Sequence, residues 1–164
     1  MTTRAQMQFL FHGAVILLGG MLTGFPLAVA IAGDRGAQEI HAWAVTHASL
    51  VSTGVLLIAI GAAARHLALA ERESRLFSWT SLSSAYALCV GLVVTAISGN
   101  RGLAPEGSAL NLALFVANVT AVFGLLAAGV LLVRGAYAAL RAARLGTREA
   151  GLAPAGITSP GPRA

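Results

Sequence analysis

Charge is scarce in this sequence. Only 10% of its 164 residues are charged, and its six acidic residues, Asp34, Glu39, Glu71, Glu73, Glu106 and Glu149, all stand outside the long apolar runs. Lysine is absent altogether, so the 11 basic residues are all arginine. With no carboxylate inside those runs, chemistry that depends on a general base there has few candidates. Cysteine is almost missing as well. Cys89 alone excludes an intrachain disulfide, a CxxC motif and a Cys-rich metal centre, and its place in the middle of an apolar run reads as that of a small buried hydrophobe. There is no internal repeat and no phosphate-binding loop, GxSxG or HExxH pattern.

What fills the sequence instead is apolar. Hydrophobic residues make up 57% and the mean hydropathy is +0.78, more apolar surface than a single soluble core of this size could hide. The pattern predicts an all-α integral membrane protein, a four-helix bundle with spans at about residues 9–32, 42–69, 76–98 and 110–137. Residues 1–145 form that membrane domain; 138–145 continue as a basic helix on the membrane surface, and the Pro/Gly-rich residues 146–164 are expected to be a flexible cytoplasmic tail. The first run is too long for the apolar core of a cleaved signal peptide. It contains Gly20-Met21-Leu22-Thr23-Gly24, a GxxxG that allows close helix approach, and Pro26, which should kink it. The first half of the third span carries Trp79, Thr80, Ser81, Ser83, Ser84 and Tyr86, so one of its faces should look into protein or a cavity.

The formal charge of +5 and the pI near 11.1 raise the question of nucleic acid, but the arginines cluster at span ends and in the tail, which suits lipid head groups rather than a nucleic-acid groove. Nine of them, Arg4, Arg65, Arg72, Arg75 and the five from Arg134 onward, fall on one side of a four-span topology, against Arg35 and Arg101 on the other. The asymmetry predicts both termini in the cytoplasm, in a bacterial-type inner membrane.

One residue organises the rest. His47 lies one to two turns inside the second span, ~8 Å deep at the helical rise, where an imidazole must find a hydrogen-bond partner, a metal or a polar cavity. The first two readings stay open on the span alone. The topology brings Asn100-Arg101 to the same level, where the long arginine stem can reach a buried anion near His47 or a lipid phosphate. His12 belongs to the opposite end of its span and reads as structural. His41 and His66 are interfacial, and Trp43 and Trp79 read as interfacial anchors.

His12-Gly13 in the first span, His47 early in the second and Asn100-Arg101-Gly102-Leu103 after the third together resemble the styrene oxide isomerases, small four-helix membrane proteins, over about residues 9–145. The resemblance implies a homotrimer with haem b at the subunit interfaces and His47 as the axial ligand of a ferric iron. It also implies Lewis-acid conversion of a small apolar epoxide to a carbonyl isomer with no net redox change. Arg101, with Asn100 beside it, would partner a propionate, and Trp43, one turn before His47, could pack on the porphyrin edge. The departures lie on the substrate side. The family has an asparagine six positions after its ligand histidine, where this chain has Thr53; it has an aspartate and a tyrosine eight apart on the third span, where this chain has Ser84 and Leu92. Thr53, Ser84, Tyr86 and Leu92 are therefore the expected pocket residues. Two further readings are a haem-binding sensor, carrier or electron-transfer subunit without isomerase activity, and a haem-free structural or transport subunit.

Overall fold

A computed structural model describes residues 3–152 of the chain, with side chains to residue 145. It comprises α1 (Thr3–Leu22), α2 (Gly24–Ala32), α3 (Ala37–Ala63) with a short 3₁₀ turn at Ala64–His66, α4 (Glu71–Ser98) and α5 (Ala109–Leu152). No strand occurs among the described residues. Four helical stretches are long and apolar enough to cross a bilayer: Thr3–Ala32, Ala37–His66, Glu71–Ser98 and Ala109–Leu145. Among the described residues the protein is thus all-α, with the four membrane-length helices of an integral membrane protein.

The helices begin earlier than the apolar runs, because polar first turns still wind as helix at the membrane surface. At α4 the backbone N–H of Ala70 donates to the Glu73 carboxylate at 3.1 Å, and Glu71 and Glu73 sit in the first turn, where negative charge complements the helix dipole. The expected boundary at residue 146 is not kept. α5 passes through Gly146 without a break and continues to Leu152, so residues 138–145 continue the helix as expected and it runs on into the first residues of the expected tail. A single glycine costs a helix about 1 kcal/mol, and the alanine, arginine and leucine around it offset that. Leu152 stands two residues before Pro154, which disfavours helix at the residue preceding it. The rest of the expected tail, residues 153–164, lies outside the described residues. At 44 residues, α5 is ~66 Å long, about twice the hydrocarbon thickness.

Pro26 explains the one interruption within a span. Its ring displaces the carbonyl four residues back and it has no N–H to give, and the helix breaks at Thr23, between α1 and α2.

The bundle is built as two closely packed pairs, α1 against α3 and α4 against α5, joined where α3 meets α4. Glycine sets the first pair. A Cβ on Gly54 would lie 2.6 Å from the Leu17 backbone nitrogen, and one on Gly20 would lie 2.7 Å from that of Val51, so these backbones touch as only glycine permits. The GxxxG is consumed inside the protomer. Phe9, Ile16, Leu50, Leu57, Phe77, Ala85 and Cys89 form the core, with the Phe9 and Phe77 rings 5.6 Å apart. The polar half of α4 does turn inward: Ser74, Ser78, Ser81 and Ser84 are all buried. Ser78 and Ser84 donate to the carbonyls one turn back, whereas the Ser81 hydroxyl has no partner among the described residues. Large apolar side chains such as Phe11, Phe25, Ile97, Phe123 and Val133 cover the outside, as lipid contact requires.

One end of the bundle carries Arg4, Arg65, Arg72, Arg75, Arg134, Arg141 and Arg144 among the described residues, and the other carries Arg35 and Arg101. Glu73 and Arg134, 3.0 Å apart, tie α4 to α5 at the arginine-rich end.

Candidate functional site at His47

Close to the break after Leu22, one carbonyl takes two side chains. The Gly20 oxygen accepts the Thr23 hydroxyl at 2.6 Å and also the His47 ring nitrogen Nδ1 at 2.8 Å. A carbonyl can only accept, so Nδ1 carries the proton and, in the neutral ring, Nε2 keeps its lone pair. Gly24 completes the seat. A Cβ there would stand 3.3 Å from Cε1 and 3.4 Å from Nδ1 of His47, so a side chain at this position would press on the ring. Both glycines of the GxxxG thus serve His47, one through its carbonyl and one by leaving room.

The residue before it points elsewhere. Consecutive helical side chains are about 100° apart, and the Thr46 hydroxyl bonds to the Ala42 carbonyl at 2.8 Å and reaches the Leu92 carbonyl of α4 at 3.3 Å. On that side a cleft of about 960 Å³ opens at the outer end of the bundle, lined by Arg35, His41, Trp43, Thr46, Leu92 and Arg101 among others. His47 faces α1 and is not part of this lining. Arg35 is paired with Glu39 at 2.9 Å, whereas the Arg101 guanidinium has no partner among the described residues.

The loop that carries Arg101 is fastened to α5 by two asparagines a helical face apart. Asn111 donates to the carbonyls of Ala104 at 2.7 Å and Glu106 at 2.6 Å and accepts from the Gly102 N–H at 3.2 Å. Asn118 donates to the carbonyls of Arg101 and Gly102, both at 3.1 Å. Gly102, at φ +56° and with Leu114 where a Cβ would be, must be glycine for the loop to lie this close. Asn100 is exposed, its N–H bonded to the Ser98 hydroxyl at 3.2 Å.

The four expected pocket residues fall in different places. Leu92 lines the outer cleft. Ser84 is turned to the α4–α5 interface, where its hydroxyl bonds to Thr80 and touches the position a Gly124 Cβ would take. Tyr86 reaches α1, its hydroxyl 2.8 Å from His12 Nδ1 with the rings edge to face at 5.6 Å. Thr53 is half-buried on α3, about 120° around the helix from His47. His12 stands eight residues before Gly20, ~12 Å along α1 from the His47 seat, and helps hold α1 against α4. Sequence reasoning missed the Gly20 carbonyl and the asparagine latch. The seven-residue spacing of Asn111 and Asn118 was the available signal for the latter.

These features define a small four-span helical membrane protein in which the half-buried imidazole of His47 is held by the backbone of α1. The family model of the styrene oxide isomerases matches residues 5–137, and the chain belongs to that family, one of isomerases. No curated protein matches it.

Proposed function

We propose that this protein is a membrane-bound isomerase that rearranges a small apolar epoxide to its carbonyl isomer, with haem b held by His47. The observation that carries the reading is the Nδ1 bond from His47 to the Gly20 carbonyl, the arrangement that fixes the tautomer and orientation of metal-binding histidines. Among the described residues no three His, Cys, Asp or Glu side chains gather. A single imidazole suits a group that brings the rest of its iron ligands with it. Bound there, ferric haem would supply a Lewis-acidic centre for an epoxide oxygen.

The protein's own residues supply the rest. His47 would offer its Nε2 lone pair to the iron while the Gly20 carbonyl holds Nδ1; Arg101, its backbone carbonyl latched by Asn118 and its guanidinium without a partner among the described residues, would be available to a propionate, with Asn100 and Trp43 beside it. The apolar surroundings keep water from a carbocation-like carbon, which would otherwise give a diol. One C–O bond breaks and one hydride moves to the neighbouring carbon, so mass and oxidation state are conserved and no nicotinamide, flavin or oxygen is needed. Thr53, Ser84, Tyr86 and Leu92 are the residues proposed to shape substrate choice.

His47 and Arg101 lie on different sides of α3, so one protomer presents only parts of the site. We take a homotrimer, with haem where subunits meet, as the assembly that joins them, in a bacterial-type inner membrane with both termini cytoplasmic. The placement of Ser84 toward α5 favours a second reading, a haem-binding sensor or carrier without turnover. An epoxide panel followed by mass-balanced product analysis distinguishes the two: a carbonyl isomer supports the isomerase, and saturable spectral shifts without product support the carrier.

A further inference from the structure

We propose that the arginine-rich end of the bundle holds a specific site for the headgroup of an anionic phospholipid. The site is a cleft of about 570 Å³ between the first turns of α1 and α4, lined by Arg4 and Gln8 of α1 and by Ser74, Arg75, Ser78 and Trp79 of α4, with Glu71 also on its wall. It lies at the opposite end of the bundle from Arg35, Arg101 and the outer cleft, and it does not rest on the reading of His47.

Three observations point to a phosphate-bearing occupant. The first is charge. Arg4 has no acidic partner among the described residues. Arg75 is only loosely near Glu71, at 3.9 Å with both side chains largely exposed. Two guanidinium groups against one carboxylate leave one net positive charge, which matches the single charge of a phosphodiester. The second is the floor of the cleft. Ser74 is only 8% exposed, yet its hydroxyl has no partner among the described residues, while that of Ser78 is spent on the Ser74 carbonyl at 2.9 Å. That hydroxyl is not enclosed, unlike the unpartnered hydroxyl of Ser81 among the described residues, so it is open to the cleft and able to donate to a phosphate oxygen. The third is the rim, where Trp79 is 75% exposed and Leu76 beside it is 53% exposed. An indole there belongs at the depth of lipid head groups, and the apolar wall made by Ala5 and Leu69 suits the glycerol and first methylenes of a lipid better than a free phosphate.

The test uses the full chain in zwitterionic detergent. With Trp43→Phe, Trp79 is the remaining tryptophan of the two and reports the cleft by its fluorescence. Titration with dioctanoyl phosphatidylglycerol is expected to give a saturable change, with dioctanoyl phosphatidylcholine about tenfold weaker. Arg4→Gln with Arg75→Gln should weaken the phosphatidylglycerol response about tenfold, and Ser74→Ala, which removes only the hydroxyl, about threefold. Arg141→Gln with Arg144→Gln, equal in charge removed, should leave it unchanged. An equal response to phosphatidylcholine, or equal weakening by the Arg141/Arg144 pair, would overturn the site. Inorganic phosphate acting at the same concentration as the lipid would overturn the lipid as its occupant.

Discussion

At the scale of single residues, the structure turns on how one imidazole is held. His47→Ala should abolish or strongly reduce the Soret band of the detergent-purified protein, and His12→Ala should largely retain it; equal haem content in the two would remove His47 from the role proposed. Gly24→Val supplies a finer test. Its side chain would crowd Cε1 and Nδ1 of His47, so haem retention should fall severalfold while the helices persist by circular dichroism. Normal haem content in that variant would show that the ring's seat is not needed. His47 was legible in the sequence because a polar side chain at membrane depth stands out against apolar neighbours. Its partner was not, since the Gly20 oxygen is a backbone acceptor, and backbone acceptors leave no mark in a sequence. Ser84 shows the opposite error of scale: its identity was read correctly as polar and inward, but which neighbour it faces depends on the rotation of α4, which spacing alone does not fix.

Among the elements, the two helix pairs answer to different residues. α1 and α3 meet through glycine, and Gly54→Leu would drive a side chain into the Leu17 backbone. Overpacking of this kind costs about 1–3 kcal/mol or more, so a lower unfolding midpoint in detergent is expected, together with a displaced His47. The same substitution at Gly129, where a Cβ meets nothing within 4 Å, should have little effect on the protomer. The loop before α5 answers to asparagine. Asn118→Leu removes the donor to the Arg101 and Gly102 carbonyls and should raise amide exchange or protease cleavage across residues 99–108, with a smaller loss of haem than His47→Ala. Unchanged loop protection would mean the latch is dispensable. The number of membrane-length helices was legible because apolar length is a strong signal. The continuation of α5 through Gly146 was not, because a glycine followed by a Pro/Gly-rich stretch reads as an end, whereas one glycine is too weak to stop a helix with good formers on both sides.

For the whole molecule, the family fixes the kind of protein, and Thr53, Ser84 and Leu92 are the positions proposed to set its substrate. If an oxidised iron at His47 is the core of the chemistry, the ferric protein should convert some aryl or alkyl epoxide to an aldehyde or ketone of identical mass without added nicotinamide, flavin or oxygen. Dithionite should suppress or strongly alter this, because ferrous haem is a poorer Lewis acid toward a neutral oxygen donor. Exchanging Thr53, Ser84 and Leu92 for asparagine, aspartate and tyrosine should then shift preference among epoxides by about tenfold or more while leaving haem content nearly constant, since discrimination of this size needs only ~1–3 kcal/mol of altered contact. Ser84 faces α5 beside Gly124, so Ser84→Asp alone is expected to loosen the α4–α5 pair as well. Thr53→Asn and Leu92→Tyr therefore carry the cleaner comparison. The decisive measurement is a mass-balanced assay of ferric protein, reduced protein and His47→Ala on one panel of epoxides. Turnover surviving complete loss of haem would overturn the mechanism, and an altered epoxide preference without altered haem content would place substrate choice with Thr53, Ser84 and Leu92.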